Sequence, residues 1–258
     1  MSISATQGNA GQSRLKIHDV TKDFVGLRAV DSVSFEVRQG EILGLIGPNG
    51  SGKTTLINVI SGMLRASSGN TAIDEVDITQ WPPHRVARIG VARTFQTVHL
   101  FGTLTVLENV EVAATASGMS RRRAAERART LLSEFGMGHA ADLQAGTLSF
   151  GQQRRVEVAR ALAMAPRFLL LDEPAAGLNE AESDGLLRLL GSICQRTGCG
   201  ILVVDHDMRL IMRLCDRIHV LNYGRTIAEG SADEVRANSE VVQAYLGSSQ
   251  GGRRGADT

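Results

Sequence analysis

Gly47-Pro48-Asn49-Gly50-Ser51-Gly52-Lys53-Thr54-Thr55 stands between an apolar run, 41–46, and a segment, 52–62, with helical apolar spacing that Gly62 stops. A strand, a loop of the form G-x-x-x-x-G-K-[ST] and a helix therefore follow one another. Each residue type has a physical reason. The glycines let the backbone curl so that successive N–H groups point inward at phosphate oxygens. The N-terminus of the following helix adds a dipole that favours anions. Lys53 would bridge the β- and γ-phosphates as a compact charge, and the Thr54 hydroxyl would ligate Mg²⁺. Only three of the 28 cations are lysines, Lys16, Lys22 and Lys53, and the rest are arginine. Arginine-rich coding accounts for most of that imbalance. At Lys53, however, a planar guanidinium is not equivalent to an ammonium among backbone amides.

Downstream, Phe168-Leu169-Leu170-Leu171-Asp172-Glu173-Pro174 brings an apolar strand to a pair of carboxylates. The C-terminal edge of a parallel sheet is where such folds bind ligands. Asp172 would hold Mg²⁺. Glu173, one residue further, can point at the γ-phosphate and act as general base on water. Adjacent acids after a strand are weak evidence alone and strong beside the phosphate loop. Leu148-Ser149-Phe150-Gly151-Gln152 precedes a helix expected over 153–164, before Pro166, and Ser149 and Gln152 have capping-box spacing. Such a terminus is also an anion site.

Further apolar patterns complete an α/β frame. Period-2 spacing at 15–20 and 33–37 predicts antiparallel strands, and 71–78 reads as one more. The short apolar segments 169–171 and 201–204 read as buried parallel strands. Segments 218–221 and 226–228 read as a hairpin turning at Gly224. From about 103 to 165 the chain is helical in character. Ala124, Ala125, Ala128, Leu131, Leu132 and Phe135 share one face, with Arg121 to Arg123, Glu126, Arg127 and Arg129 on the other. The run Arg121-Arg122-Arg123 reads as a solvated helix start. These patterns describe an α/β frame with a helical insert.

Composition excludes several classes. A formal net charge of +1 argues against a general nucleic-acid binder. No apolar run approaches the ~20 residues of a membrane span. The polar segment 1–13 lacks the apolar core of a signal peptide. Cys194, Cys199 and Cys215 show neither disulfide-framework nor zinc spacing and read as free thiols of a reducing cytoplasm. Segments 1–13 and 247–258 are without periodicity and read as disordered tails.

At this point the chain resembles the ATP-binding subunits of ABC transporters over about 15–247. Gly47 to Thr54 matches the Walker A loop, and Phe168 to Pro174 matches Walker B with the catalytic glutamate. Leu148 to Gln152 matches the LSGGQ signature, with Phe150 where glycine is usual. Ala176-Gly177-Leu178-Asn179 stands at the D-loop, with Asn179 for the usual Asp. Gln96 in Arg93-Thr94-Phe95-Gln96 matches the Q-loop, His206 the switch histidine, and Phe24 the aromatic that stacks on adenine. Arg93 to Gln96, the run 104–110, the run 151–157, Ala176 to Asn179 and Ala244-Tyr245-Leu246-Gly247 are similar to the branched-chain (hydrophobic) amino-acid importer group.

The resemblance implies an α/β fold, a P-loop NTPase (RecA-like) core with an N-terminal antiparallel β subdomain and an inserted helical subdomain. It implies an ATPase whose cofactors are ATP and Mg²⁺. It implies catalytic roles for Glu173, His206 and Gln96. Thr54, Gln96 and Asp172 are implied at the metal. Phe24, the loop residues Gly47 to Thr55, and Ser149, Gly151 and Gln152 are implied at nucleotide. It implies one ATPase domain over 14–246 with a helical insert at about 97–165. Separate transmembrane permease subunits, a second ATP-binding subunit sandwiching ATP, and indirectly a solute-binding protein would be partners. No nucleic acid is implied, and the subunit would sit peripherally on the cytoplasmic face of the inner membrane. The alternatives are a urea/amide importer, a lipid or lipopolysaccharide exporter, and a non-transport ABC ATPase.

Overall fold

The computed structural model describes residues 13–247. The tail readings for 1–12 and 248–258 lie outside the described residues. Ser13 and Gly247 do not belong with them: Ser13 Oγ donates to Asp74 Oδ1 at 2.8 Å, and Gly247 lies in the final helix.

The described chain begins with β1 (Arg14–Phe24) and β2 (Leu27–Arg38), a long antiparallel pair with register shifts. β3 (Ile42–Ile46) leads into the phosphate-loop sequence and α1 (Lys53–Ile60). β4 (Ser68–Ile73) and β5 (Val76–Asp77) follow. The expected single strand over 71–78 is therefore wrong. Asp74 takes φ 55°, held by the N–H of Arg14 and the hydroxyl of Ser13, and β5 folds back so that Ile73 pairs Val76. Asp accepts this left-handed turn because its short side chain bonds locally. α2 (Pro83–Arg88) and β6 (Val91–Arg93), not anticipated from sequence, come next.

Three helices fill the middle of the chain: α3 (Val106–Ala116), α4 (Arg121–Glu134) and α5 (Phe150–Ala163). Ala114 of α3, Ala128, Leu131 and Leu132 of α4, and Val158 and Leu162 of α5 are buried in one cluster. Arg121, Arg122 and Arg123 are exposed, as expected. Arg127 is not simply solvated, because it donates to the carbonyls of Leu162 (2.6 Å) and Ala163 (3.0 Å) and caps the end of α5. A cation at a helix C-terminus satisfies orphan carbonyls and the dipole together. α5 starts at Phe150 rather than 153, because Ser149 is its cap.

β7 (Phe168–Asp172), α6 (Glu180–Thr197), β8 (Gly200–Val204) and α7 (Met208–Leu214) return to the α/β pattern. β9 (Arg217–Asn222), β10 (Arg225–Gly230), α8 (Ala232–Ala237) and α9 (Ser239–Gly247) complete the described chain. The β9–β10 hairpin turns through Tyr223 and Gly224, both at positive φ, the geometry of a tight primed turn.

One sheet runs β2-β1-β4-β5 and is antiparallel; the other runs β10-β9-β3-β8-β7-β6, parallel except for β10. β3, β7 and β8 are buried along their whole length, which is why they read as unbroken apolar runs. Alternate residues serve two cores. Ile42, Ile46, Leu169, Leu171, Ile201 and Val203 join the helical cluster. Leu43, Leu45, Leu170, Leu202 and Val204 pack with α1 and the antiparallel sheet. Among the described residues no helix is long and apolar enough to cross a membrane.

Candidate functional site

The loop between β3 and α1 is set by backbone geometry. Gly52 takes φ 100°, and a Cβ there would stand 2.4 Å from the carbonyl oxygen of Ala29. Only glycine lets β2 and the start of α1 approach this closely. Lys53 opens α1, and its buried Nζ donates to the carbonyls of Gly47 and Pro48, both at 2.8 Å, and approaches Ser51 Oγ at 3.3 Å. Burial lowers the Lys53 pKa, while Glu173 and Asp172 pull it up. Thr54 is exposed and Thr55 half-buried on the first turn. No side chain caps this terminus.

Asp172 ends β7, beside β8 and β6. It is 3% exposed, and burial raises its pKa against the lowering effect of Arg93. Arg93, on β6, donates through Nη2 to Asp172 Oδ2 at 3.1 Å and through Nη1 to Asn58 Oδ1 (2.6 Å) and Ser61 Oγ (3.0 Å). This buried cation ties the strand edge to α1. Sequence reasoning quoted Arg93 only as part of a motif and gave it no role.

Glu173 follows at φ 48°, a left-handed conformation in which a non-glycine residue is strained. Its Oε2 accepts from Gln96 Nε2 at 3.1 Å, and its Oε1 lies 3.7 Å from His206 Nδ1. The three expected catalytic side chains therefore meet at one carboxylate. Gln96 comes from the loop after β6 and His206 from the turn after β8. Beside His206, Asp205 is buried, and burial raises its pKa.

Ser149, Gly151 and Gln152 gather elsewhere, at the start of α5. Ser149 Oγ accepts from the N–H of Gln152 at 3.4 Å, and Gln152 Oε1 accepts from the N–H of Ser149 at 3.0 Å. Phe150 is 44% exposed, and its ring lies so close to Gly177 that a Cβ there would meet it at 2.7 Å. The bulky residue at this position is thus accommodated by the 176–179 turn of its own chain. Asn179 caps α6, accepting from the N–H of Glu182 at 2.9 Å. Asn and Asp cap equally well, so this departure is structurally neutral within the chain. Phe24 stands 43% exposed at the end of β1, with Lys22 Nζ 5.0 Å from its ring centroid. Ala29, close in sequence on β2, is the residue packed on Gly52.

The cysteines are free, and burial pushes Cys194 up to about 11, Cys199 up to about 12 and Cys215 higher still. Among the described residues no group of three or more His, Cys, Asp and Glu side chains could hold a metal ion. The hard oxygen donors Thr54, on the first turn of α1, and Asp172, at the end of β7, are of the kind that a small divalent cation takes together with phosphate oxygens.

A loop for phosphates, a carboxylate pair at the sheet edge, and a glutamine and histidine converging on Glu173 can together orient water against a nucleotide γ-phosphate. Comparison with known proteins agrees. The family profile described as "ABC transporter" matches residues 30–176, and that described as "Branched-chain amino acid ATP-binding cassette transporter" matches 225–250. The high-affinity branched-chain amino acid transport ATP-binding protein BraF of Pseudomonas aeruginosa is 40% identical over 248 residues, covering 90% of this chain and 97% of its own. The ADP conformation of the ATP-binding cassette MJ1267 superposes with a TM-score of 0.82 at 32% identity, covering 91% of this chain and 99% of its own. The dimeric bacterial cassette MJ0796 superposes with a TM-score of 0.78 at 30% identity, covering 84% and 98%. With fold, site geometry and kinship in agreement, the chain belongs to the ABC transporter family, as an ATP-binding cassette that hydrolyses ATP.

Proposed function

We propose that this chain, read as one ATPase unit over 14–246 with a helical insert at about 97–165, powers import of branched-chain or related amino acids. The convergence of Gln96 and His206 on Glu173 carries the catalytic part of that proposal. Water beside the γ-phosphate gives its proton to Glu173 as its oxygen attacks phosphorus and ADP leaves. Gln96 and His206 orient that carboxylate and the phosphate. Lys53 turns from the loop carbonyls toward the β- and γ-phosphates, and the loop Gly47 to Thr55 cradles them through the backbone N–H groups of its residues other than Pro48, which has none. Phe24 offers its exposed ring to adenine. Thr54 and Asp172, with Gln96, would hold Mg²⁺, which when bound offsets phosphate charge.

The signature Ser149, Gly151 and Gln152 caps ATP held by a second ATP-binding subunit, so two nucleotides lie between two cassettes. The dimeric state of MJ0796 supports that arrangement. The helical insert engages separate permease subunits, which places the chain peripherally on the cytoplasmic face of the inner membrane, with a solute-binding protein acting on the far side. Kinship to BraF supports the substrate class.

The test is reconstitution with permeases, second cassette and solute-binding protein. Leucine, isoleucine or valine should stimulate ATP turnover, and Glu173→Gln should reduce turnover about a hundredfold or more while retaining ATP binding. Stimulation by urea, short amides or lipid in place of amino acids would reassign the substrate. Full turnover in Glu173→Gln would remove it as the base.

A further inference from the structure

Arg154 lies on α5, little more than one turn beyond Ser149, and its side chain is 0% exposed. Nη1 donates to the carbonyl of Phe95 at 2.6 Å and to Glu157 Oε2 at 2.7 Å. Nη2 donates to the carbonyls of Gln96 at 2.8 Å and Glu173 at 3.0 Å. The Glu157 carboxylate also accepts from the N–H of His99 at 3.3 Å. A buried guanidinium is costly unless its donors are matched, and filling this space needs only an apolar side chain. The acceptors are what make the position informative. Besides Glu157 they are three backbone carbonyls of two separate loops, and two of these belong to the residues whose side chains meet at 3.1 Å. Glu173 itself is held at φ 48°, a conformation that persists only where its surroundings impose it. Its N–H is fixed on the carbonyl of Val204 at 2.7 Å and its carbonyl on Arg154.

We infer that Arg154 is a positioning residue for hydrolysis. One buried cation fastens the backbones of Gln96 and Glu173 to the helix that carries Ser149, so the water-activating end of one nucleotide site and the signature offered to the other shift as a unit. This rests on Glu173 being the general base.

A double-mutant cycle in the assembled transporter tests it. Arg154→Lys keeps a charge opposite Glu157 but cannot span the three carbonyls. It should lower kcat about tenfold to a hundredfold with KM for ATP within about twofold of wild type. In the Glu173→Gln background the same substitution should change the residual rate by less than about twofold, because the group it positions is already gone. A merely structural role would instead lower the melting temperature and cut the rate equally in both backgrounds. Equal losses, or wild-type kcat in Arg154→Lys, overturn the inference. If that variant does not fold, Arg154→Met with Glu157→Leu removes both buried charges together and is read by the same cycle. Retained turnover in Glu173→Gln alone would instead defeat the base assignment, and with it this inference.

Discussion

Helices α1 and α5 both start where phosphate is expected, and they start differently. α1 begins after Gly52 with no capping side chain, so the amides of its first turn are left for an anion. α5 begins after Ser149 with a closed capping box, as do α3, α6 and α8. The first terminus has no side-chain cap, as α2 and α4 also have none, and it alone follows a phosphate-loop sequence. The second is satisfied within the chain and stable without one. A terminus of the first kind suits a resident nucleotide. One of the second kind suits a surface that is brought to a nucleotide held elsewhere and withdrawn again.

The contrast breaks most sharply at Lys53. Lys53→Ala should lower ATPase kcat/KM about a hundredfold or more, and Lys53→Arg should retain less than about a tenth of the activity. Steady-state kinetics with a fluorescent-nucleotide titration check both, and intact turnover in either variant would deny the start of α1 its nucleotide role. Ser149→Ala sharpens the other side. It should cost about 1 kcal/mol in urea unfolding, reduce turnover of the assembled dimer about tenfold, and leave ATP affinity of the isolated chain unchanged. A fall in that affinity would mean that α5 serves its own chain's nucleotide.

Asn179→Ala should cost a similar ~1 kcal/mol by loss of the α6 cap, and Asn179→Asp should be within about 0.5 kcal/mol of wild type. Melting curves of both variants measure how ordinary a closed cap is. The smallest effect is expected outside both termini, at Glu229 on β10. Its hydrogen bond with His219 (2.7 Å), together with Arg217, holds its carboxyl below the usual range against the pull of burial. A depressed folded pKa stabilises above the unfolded value and is lost as pH falls through the folded one. Glu229→Gln should therefore melt lower than wild type at neutral pH, with the gap closing below about pH 4.

Much of the candidate site was legible because its residues are tied to local signals. Lys53 follows a glycine pattern, and Glu173 follows an apolar strand. Gln96 and His206 needed the family resemblance, since a lone Gln or His after a strand has no distinguishing spacing. Arg93 and Arg154 were missed for a different reason. Their partners, Asn58 and Asp172 for one and Phe95, Gln96 and Glu173 for the other, lie on other elements, and among 25 arginines neither stands out. The one local hint was the i,i+3 spacing of Arg154 and Glu157 on a helix whose one acid is Glu157. The strand over 71–78 failed because the apolar residues Ala72, Ile73, Val76 and Ile78 span a turn, and the turn depends on Asp74 meeting Ser13 and Arg14.

Local order alone established the phosphate loop, the carboxylate pair, the capped signature and the α/β alternation, because backbone conformation and amphipathic period act over a few residues. Tertiary structure decided the rest. It placed the side chains of Gln96 and His206 on Glu173, clamped Asp172 with Arg93, seated Phe150 on Gly177 and buried Arg154 against two loops. Those contacts join residues tens of positions apart, and only parallel strand order brings their loops to one sheet edge.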